Sequence, residues 1–239
     1  MCFSSISRVC ARQRPAPRPD TVSWSLNRVL DLTSQIAIDQ CSFQHLLRKT
    51  LFLVALASGA RISELAALSR EEGFVTFLFT GEASLAPHPK FLAKNEDPAY
   101  GPNPWTVVPL PHDPSRCPVQ CLETNLSRAE NISGGRLFRV DLGGALTLAG
   151  IRQHILYFIQ QADPESFPKA HDVRPIATSV QYFHFMDFPG LSEFTEWISA
   201  GVFIKHYCEN LEALRFHTVA AGKVVPPMSS DLYGSDAGT

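Results

Sequence analysis

Three short segments carry most of the side chains able to act on an anionic substrate. They are residues 57–65 (ASGARISEL), 169–183 (KAHDVRPIATSVQYF) and 196–214 (EWISAGVFIKHYCENLEAL). The first holds Arg61 and Glu64, the second His171 and Arg174, the third Trp197, His206 and Tyr207; Lys90 and Lys94 stand between the first two. As residue types, arginines stay charged and grip two oxygens at once. A histidine moves a proton near neutral pH. A tyrosine hydroxyl becomes a nucleophile once its pKa falls from about 10. Each group also has an ordinary reading. Arg61 and Glu64 are i,i+3, the spacing of an exposed helical ion pair. His171, Asp172 and Arg174 fit a cluster at a helix start. Trp197 and Tyr207 fit a core, and Lys90, Lys94 and His206 a solvated surface, with His206 alternatively a local base. The order of the groups says more. An Arg follows a helix-breaking Gly, a Lys falls in a small sheet, a His-x-x-Arg opens a later helix, and a Trp precedes a Tyr near the end.

The elements that must position these groups are mostly helical. Leu26, Val29, Leu30 and Leu32 give one apolar face from about residue 25, and Leu46, Leu47, Leu51, Val54 and Ala55 another over about 43–57. Gly59 fits the stop of that second helix. A third begins near Arg61 with Leu65 and Leu68 inward. Residues 74–79 (FVTFLF) and 105–110 (WTVVPL) read as strands, and 90–94 (KFLAK) as another, separated by Gly and Pro turn signals. Further helices are expected near 118–130, 147–162, 171–186, 190–197 and 201–216. Pro175 is tolerable only within the first turn of the helix that begins near His171. The fold class expected is mainly α with a small antiparallel β-sheet, an α+β arrangement. No internal repeat is found.

Composition narrows the class. The chain has 239 residues, 45% hydrophobic and 18% charged, which excludes wholesale disorder, collagen and coiled coil. The longest apolar run, about 51–60, is roughly half of what a membrane helix needs. There are 21 Lys and Arg against 23 Asp and Glu. Arg8, Arg12, Arg14 and Arg18 lie in the first 20 residues with one acid, Asp20, so the remainder is mildly acidic. Any nucleic-acid contact must therefore come from a local patch. The first 24 residues are rich in Ser, Arg and Pro and are expected to be a linker. A mitochondrial transit peptide is the lesser alternative, since Pro15, Pro17 and Pro19 would break its helix. Residues 25–222 are expected to form the folded domain and 223–239 a frayed tail. Cys2, Cys10, Cys41, Cys117, Cys121 and Cys208 read as reduced, intracellular thiols. Cys117 and Cys121 lack the second pair a zinc site would need.

The combination of G-x-R-x-S-E-L at 59–65, the His-x-x-Arg at 171–174 and W-x-S-x3-F-x2-H-Y at 197–207 resembles the catalytic domain of the tyrosine recombinases, the phage integrase family. It looks most like the retrotransposon branch of DIRS, Ngaro and Crypton elements, over roughly residues 25–222. The resemblance implies a site-specific DNA recombinase or integrase that cuts and rejoins strands through a 3′-phosphotyrosyl intermediate. It implies Arg61, His171 and Arg174 around the phosphate, Lys94 (Lys90 the weaker candidate) as the sheet lysine, Trp197 beside them, Tyr207 as nucleophile and Glu64 as the buttress of the first arginine. It also implies that no cofactor is needed, that DNA is the partner, and that the helix after Tyr207 docks on a second subunit, with packing on its own core as the equal alternative. DNA as substrate implies a nuclear location.

Family members typically carry a helical DNA-clamping domain ahead of the catalytic one. The 24 residues before the first expected helix are too few to supply it, so weak DNA binding is expected. The alternative reading is a catalytically inactive DNA-binding or interaction module that keeps the fold. Such a module would bind DNA equally well with Tyr207→Phe.

Overall fold

A computed structural model describes residues 23–91, 104–131, 134–140 and 144–178. Serine hydroxyls start the first two helices. Ser25 accepts the Arg28 N–H at the head of α1 (Leu26–Gln35), and Ser42 accepts that of His45 at the head of α2 (Phe43–Ser58). Both use the N-cap device that satisfies an orphan donor. In α1, Leu26, Val29, Leu30 and Thr33 form the buried stripe. In α2 every residue from Lys49 to Ser58 is buried, so this part of the helix is covered on all sides and forms the centre of the domain. It packs against α4 (Pro118–Arg128) and α5 (Leu148–Ala162), and α5 in turn covers α1 and the short α3 (Ile62–Ala67). Ile151, Ile155, Phe158 and Ile159 supply that cover at helical spacing. Phe52 of α2 meets the Phe158 ring at 5.5 Å and the Trp24 ring edge-on at 6.2 Å, geometries favoured between aromatic quadrupoles.

Polar side chains pin the connections. Asp163, just past α5, accepts the Ser25 N–H at 2.9 Å and Arg28 Nη1 at 2.6 Å, tying the start of α1 to the end of α5. Arg128 donates to the carbonyls of Ile38, Asp39 and Cys41, clamping the link from α1 to α2. Lys49, fully buried, donates to the Thr33 and Ile36 carbonyls, each at 2.7 Å, and so closes the last turn of α1.

The sheet is antiparallel, in the order β1 (Val75–Phe77), β2 (Ala83–Leu85), β3 (Trp105–Val107). Val75 pairs with Leu85 and Phe77 with Ala83; Ala83 in turn faces Val107 and Leu85 faces Trp105. The middle strand corrects the sequence reading, which put it at 90–94. Residues 88–91 form a turn instead, with the Phe91 N–H donating to the His88 carbonyl at 2.8 Å. The reason is Gly81, whose φ of 89° permits a tight reversal that an L side chain resists. The chain therefore doubles back at once, and the three-residue A-S-L run becomes the centre strand. Residues 92–94, Lys94 among them, lie outside the described residues. So do the helices expected at 190–197 and 201–216, residues 1–22 of the expected linker, the expected tail 223–239, and Trp197, His206, Tyr207 and all but the start of the 171–186 helix. Trp24, placed in the linker by the sequence reading, is instead buried against Phe52. The remaining helices fall where the apolar periodicity put them. The architecture is the expected one, mostly helical with a small antiparallel sheet.

Candidate active site

The site is built at the end of α2. Gly59 caps that helix in the left-handed conformation, φ 60° and ψ 17°, and its N–H donates to the Ala55 carbonyl at 3.0 Å. The chain turns through Ala60, and Arg61 becomes the N-cap of α3. Glu64, in the first turn of α3, folds back to accept the Arg61 backbone N–H at 2.5 Å through Oε2. Its Oε1 pairs with Arg61 Nη1. A carboxylate in a first helical turn is itself favourable there. The local i,i+3 pair read from sequence is thus present, but it is not a surface ornament. The Glu64 side chain is 7% exposed and that of Arg61 33%.

The second arginine arrives from far along the chain. After α5, residues 170–172 make one 3-10 turn and an α-helix runs on from Val173. Pro175 falls in its first turn, where a missing N–H costs nothing. Asp172 accepts the Lys169 N–H at 2.8 Å and so starts the segment. Arg174 points inward from it, 11% exposed, with Nη1 2.6 Å from the Gly59 carbonyl and 3.8 Å from Glu64 Oε2. One carboxylate therefore faces both guanidinium groups, leaving the trio with a net single positive charge. Buried ion pairs hold only when further hydrogen bonds satisfy them, and here backbone groups at Arg61 and Gly59 do so. Sequence reasoning assigned Glu64 to the first arginine only. It missed the Gly59 carbonyl as an acceptor, since backbone groups leave no mark in a sequence beyond the glycine itself.

His171 stands one helical turn before Arg174 with its side chain 76% exposed and Nε2 3.8 Å from Asp172 Oδ1. It is free to reach a ligand but does not touch the arginines' carboxylate. Lys90 is exposed; its N–H donates to His88 Nδ1 at 3.2 Å, in a turn whose His88 N–H reaches the carbonyl of Ala67 at the end of α3. The structure thus brings together Arg61, Glu64 and Arg174, sets His171 at the rim, and roots the Lys90 turn on the same short helix. Among the described residues there is no group of three His, Cys, Asp or Glu side chains placed to hold a metal ion.

No protein-family model matches the chain, and no curated protein matches it. Solved structures do. XerA recombinase superposes with a TM-score of 0.59 at 13% identity, over 84% of this chain and 62% of that one. XerH site-specific recombinase, in a post-cleavage complex with palindromic difH, gives 0.57 at 17% identity, over 75% and 46%. The Tn1549 transposon integrase (residues 82–397), in complex with circular intermediate DNA, gives 0.53 at 14%, over 86% and 70%. The chain spans about half the length of the XerH chain. Helices around a central helix, a three-stranded antiparallel sheet between them and these superpositions together identify the architecture as the tyrosine recombinase catalytic-domain fold.

Proposed function

We propose that this chain is the catalytic domain of a site-specific DNA recombinase or integrase that breaks and rejoins strands through a phosphotyrosine. The observation that carries the proposal is the convergence of Arg61 and Arg174 on Glu64 within this fold. Two arginines held on one carboxylate suit a single phosphodiester. Each planar fork can take a non-bridging oxygen and absorb the charge that develops there, usually the largest catalytic contribution. The shared carboxylate keeps the pair from repelling each other before DNA arrives, so the geometry is ready in advance.

In this reading Tyr207 attacks phosphorus. The Tyr207 oxygen–phosphorus bond forms, the phosphorus–5′-oxygen bond breaks, and the 3′ end stays linked to the protein. Lys94, with Lys90 the second candidate, donates the proton that the 5′-oxygen needs to leave. His171, exposed at the rim, accepts the tyrosine proton or hydrogen-bonds the phosphate, and Trp197 offers its indole N–H. The reverse step rejoins the strand without loss of bond energy. The catalytic unit runs from Trp24, one residue before the expected start, to about residue 222; the origin is a mobile element of the DIRS, Ngaro or Crypton type, and the working location the nucleus. Copies associate on DNA through the segment after Tyr207, where Leu211, Leu214, Phe216 and Val219 recur.

The test uses negatively supercoiled plasmid in EDTA without ATP, so that no target sequence need be known. Wild-type protein is expected to relax the plasmid and to leave denaturant-resistant protein–DNA adducts, and Tyr207→Phe to leave none. A folded protein that binds DNA equally with and without Tyr207 and never forms an adduct, even when fused to a clamp domain, would favour the inactive module instead.

A further inference from the structure

The turn that ends α2 does more than stop a helix. Ser58, 5% exposed, donates its hydroxyl to the Val54 carbonyl at 2.7 Å and accepts the Ala60 N–H at 3.2 Å. The Gly59 N–H is bonded to Ala55. The polar groups on both sides of Gly59 are thus tied down, and its left-handed backbone turns its carbonyl out of the helix. That carbonyl meets Arg174 Nη1 at 2.6 Å, across 115 residues of sequence. The contact is much shorter than the Arg174–Glu64 ion pair at 3.8 Å. The carboxylate supplies charge, and the carbonyl sets place. The same turn delivers Arg61 two residues later. A single rigid turn therefore governs the spacing between the two guanidinium groups, and a site that grips two oxygens of one phosphate depends on that spacing.

We infer that Ser58 and Gly59 are positioning residues for the arginine pair: the braced turn aims the Gly59 carbonyl to hold Arg174 at a fixed distance from Arg61. The inference deepens the function proposed above and rests on it for its catalytic meaning. Neither residue touches the substrate in this account.

The experiment reads position and catalysis separately. In full-length protein labelled with 15N-arginine, the Arg174 guanidinium protons are expected to exchange slowly and give a resolved signal. Ser58→Ala and Gly59→Ala should both broaden or abolish it while the Arg61 signal survives. Adduct formation on supercoiled plasmid should fall roughly tenfold or more in each variant, the scale of one lost charge-assisted hydrogen bond. In an Arg174→Met background the same substitutions should cost nothing further, because the donor they act through is gone. Gly59→Asn, which tolerates the left-handed conformation, should restore the Arg174 signal. An Arg174 signal unchanged in both alanine variants, or losses that add fully to Arg174→Met, would overturn the inference. Titration with inorganic phosphate tests the underlying reading on its own. Wild-type Arg61 and Arg174 signals should shift together, and no shift beside a Gly59-dependent Arg174 signal would refute the phosphate clamp while leaving the positioning contact standing.

Discussion

Glu64→Gln is the substitution that bears most directly on the arginine pair, because it keeps shape and removes charge. The carboxylate is 7% exposed and faces two guanidinium groups. At 3.8 Å from Arg174, and with an effective dielectric of about 20, the gross attraction is on the order of 4 kcal/mol. Desolvation of the buried groups offsets part of it. A hydrogen bond to a charged group contributes about 1.5–3 kcal/mol net. Arg61 is one-third exposed, so its own share is screened. A glutamine still offers one acceptor oxygen, but its NH2 would point at a guanidinium that has nothing to accept with. A net loss of about 2–3 kcal/mol follows. In a domain of this size each kcal/mol lowers Tm by about 2–4 °C, so Tm should drop by about 4–12 °C. If the same energy is withdrawn from the transition state, adduct formation falls roughly 30- to 150-fold. Calorimetry with plasmid adduct assays measures both. The reasoning is refuted if Glu64→Gln melts with wild type and forms adducts at the wild-type rate.

Two further outcomes concern the scaffold. Lys49→Met fills the volume but leaves the Thr33 and Ile36 carbonyls without their donor, so stability to urea should fall by about 1–3 kcal/mol and amide exchange should quicken in the last turn of α1; a gain in stability would show that burying the ammonium, whose pKa desolvation lowers, outweighs those bonds. Burial first, and then the Arg48 guanidinium, push the pKa of His154 below its ordinary 6.5. The unfolded chain therefore takes up this proton first as pH falls, so the urea midpoint should hold above about pH 6.5 and decline below it. His154→Gln should flatten that decline, and an unchanged slope would remove His154 from the account.

Local signals carried most of the helices. Ser25, Ser42 and Thr147 cap the starts of α1, α2 and α5 as hydroxyl side chains do, and Gly59 ends α2 in the one conformation glycine favours there. The sheet was less legible. A three-residue strand such as Ala83–Leu85 offers too short an alternation to stand out, and Pro87 and Pro89 beside it read as loop. Lys90 and Phe91, read as the start of a strand, complete a turn from His88 instead, because pairing partners and not propensity decide so short a run.

The arginine site divides along the same line. That Arg61 and Glu64 can meet was legible in helical spacing, since residues three apart are neighbours on a helix surface. That His171 and Arg174 sit on one helix start was likewise written in the chain. That His171 turns to solvent while Arg174 turns in to the Gly59 carbonyl and Glu64 was not. It required α5 to pack over α3 and return the chain to the end of α2, an outcome of burying Ile151, Ile155 and Phe158 against the central helix. Short-range geometry is set by backbone period and is therefore present in the sequence. Which distant groups share one carboxylate is set by how apolar faces exclude water together, and only the folded chain decides that.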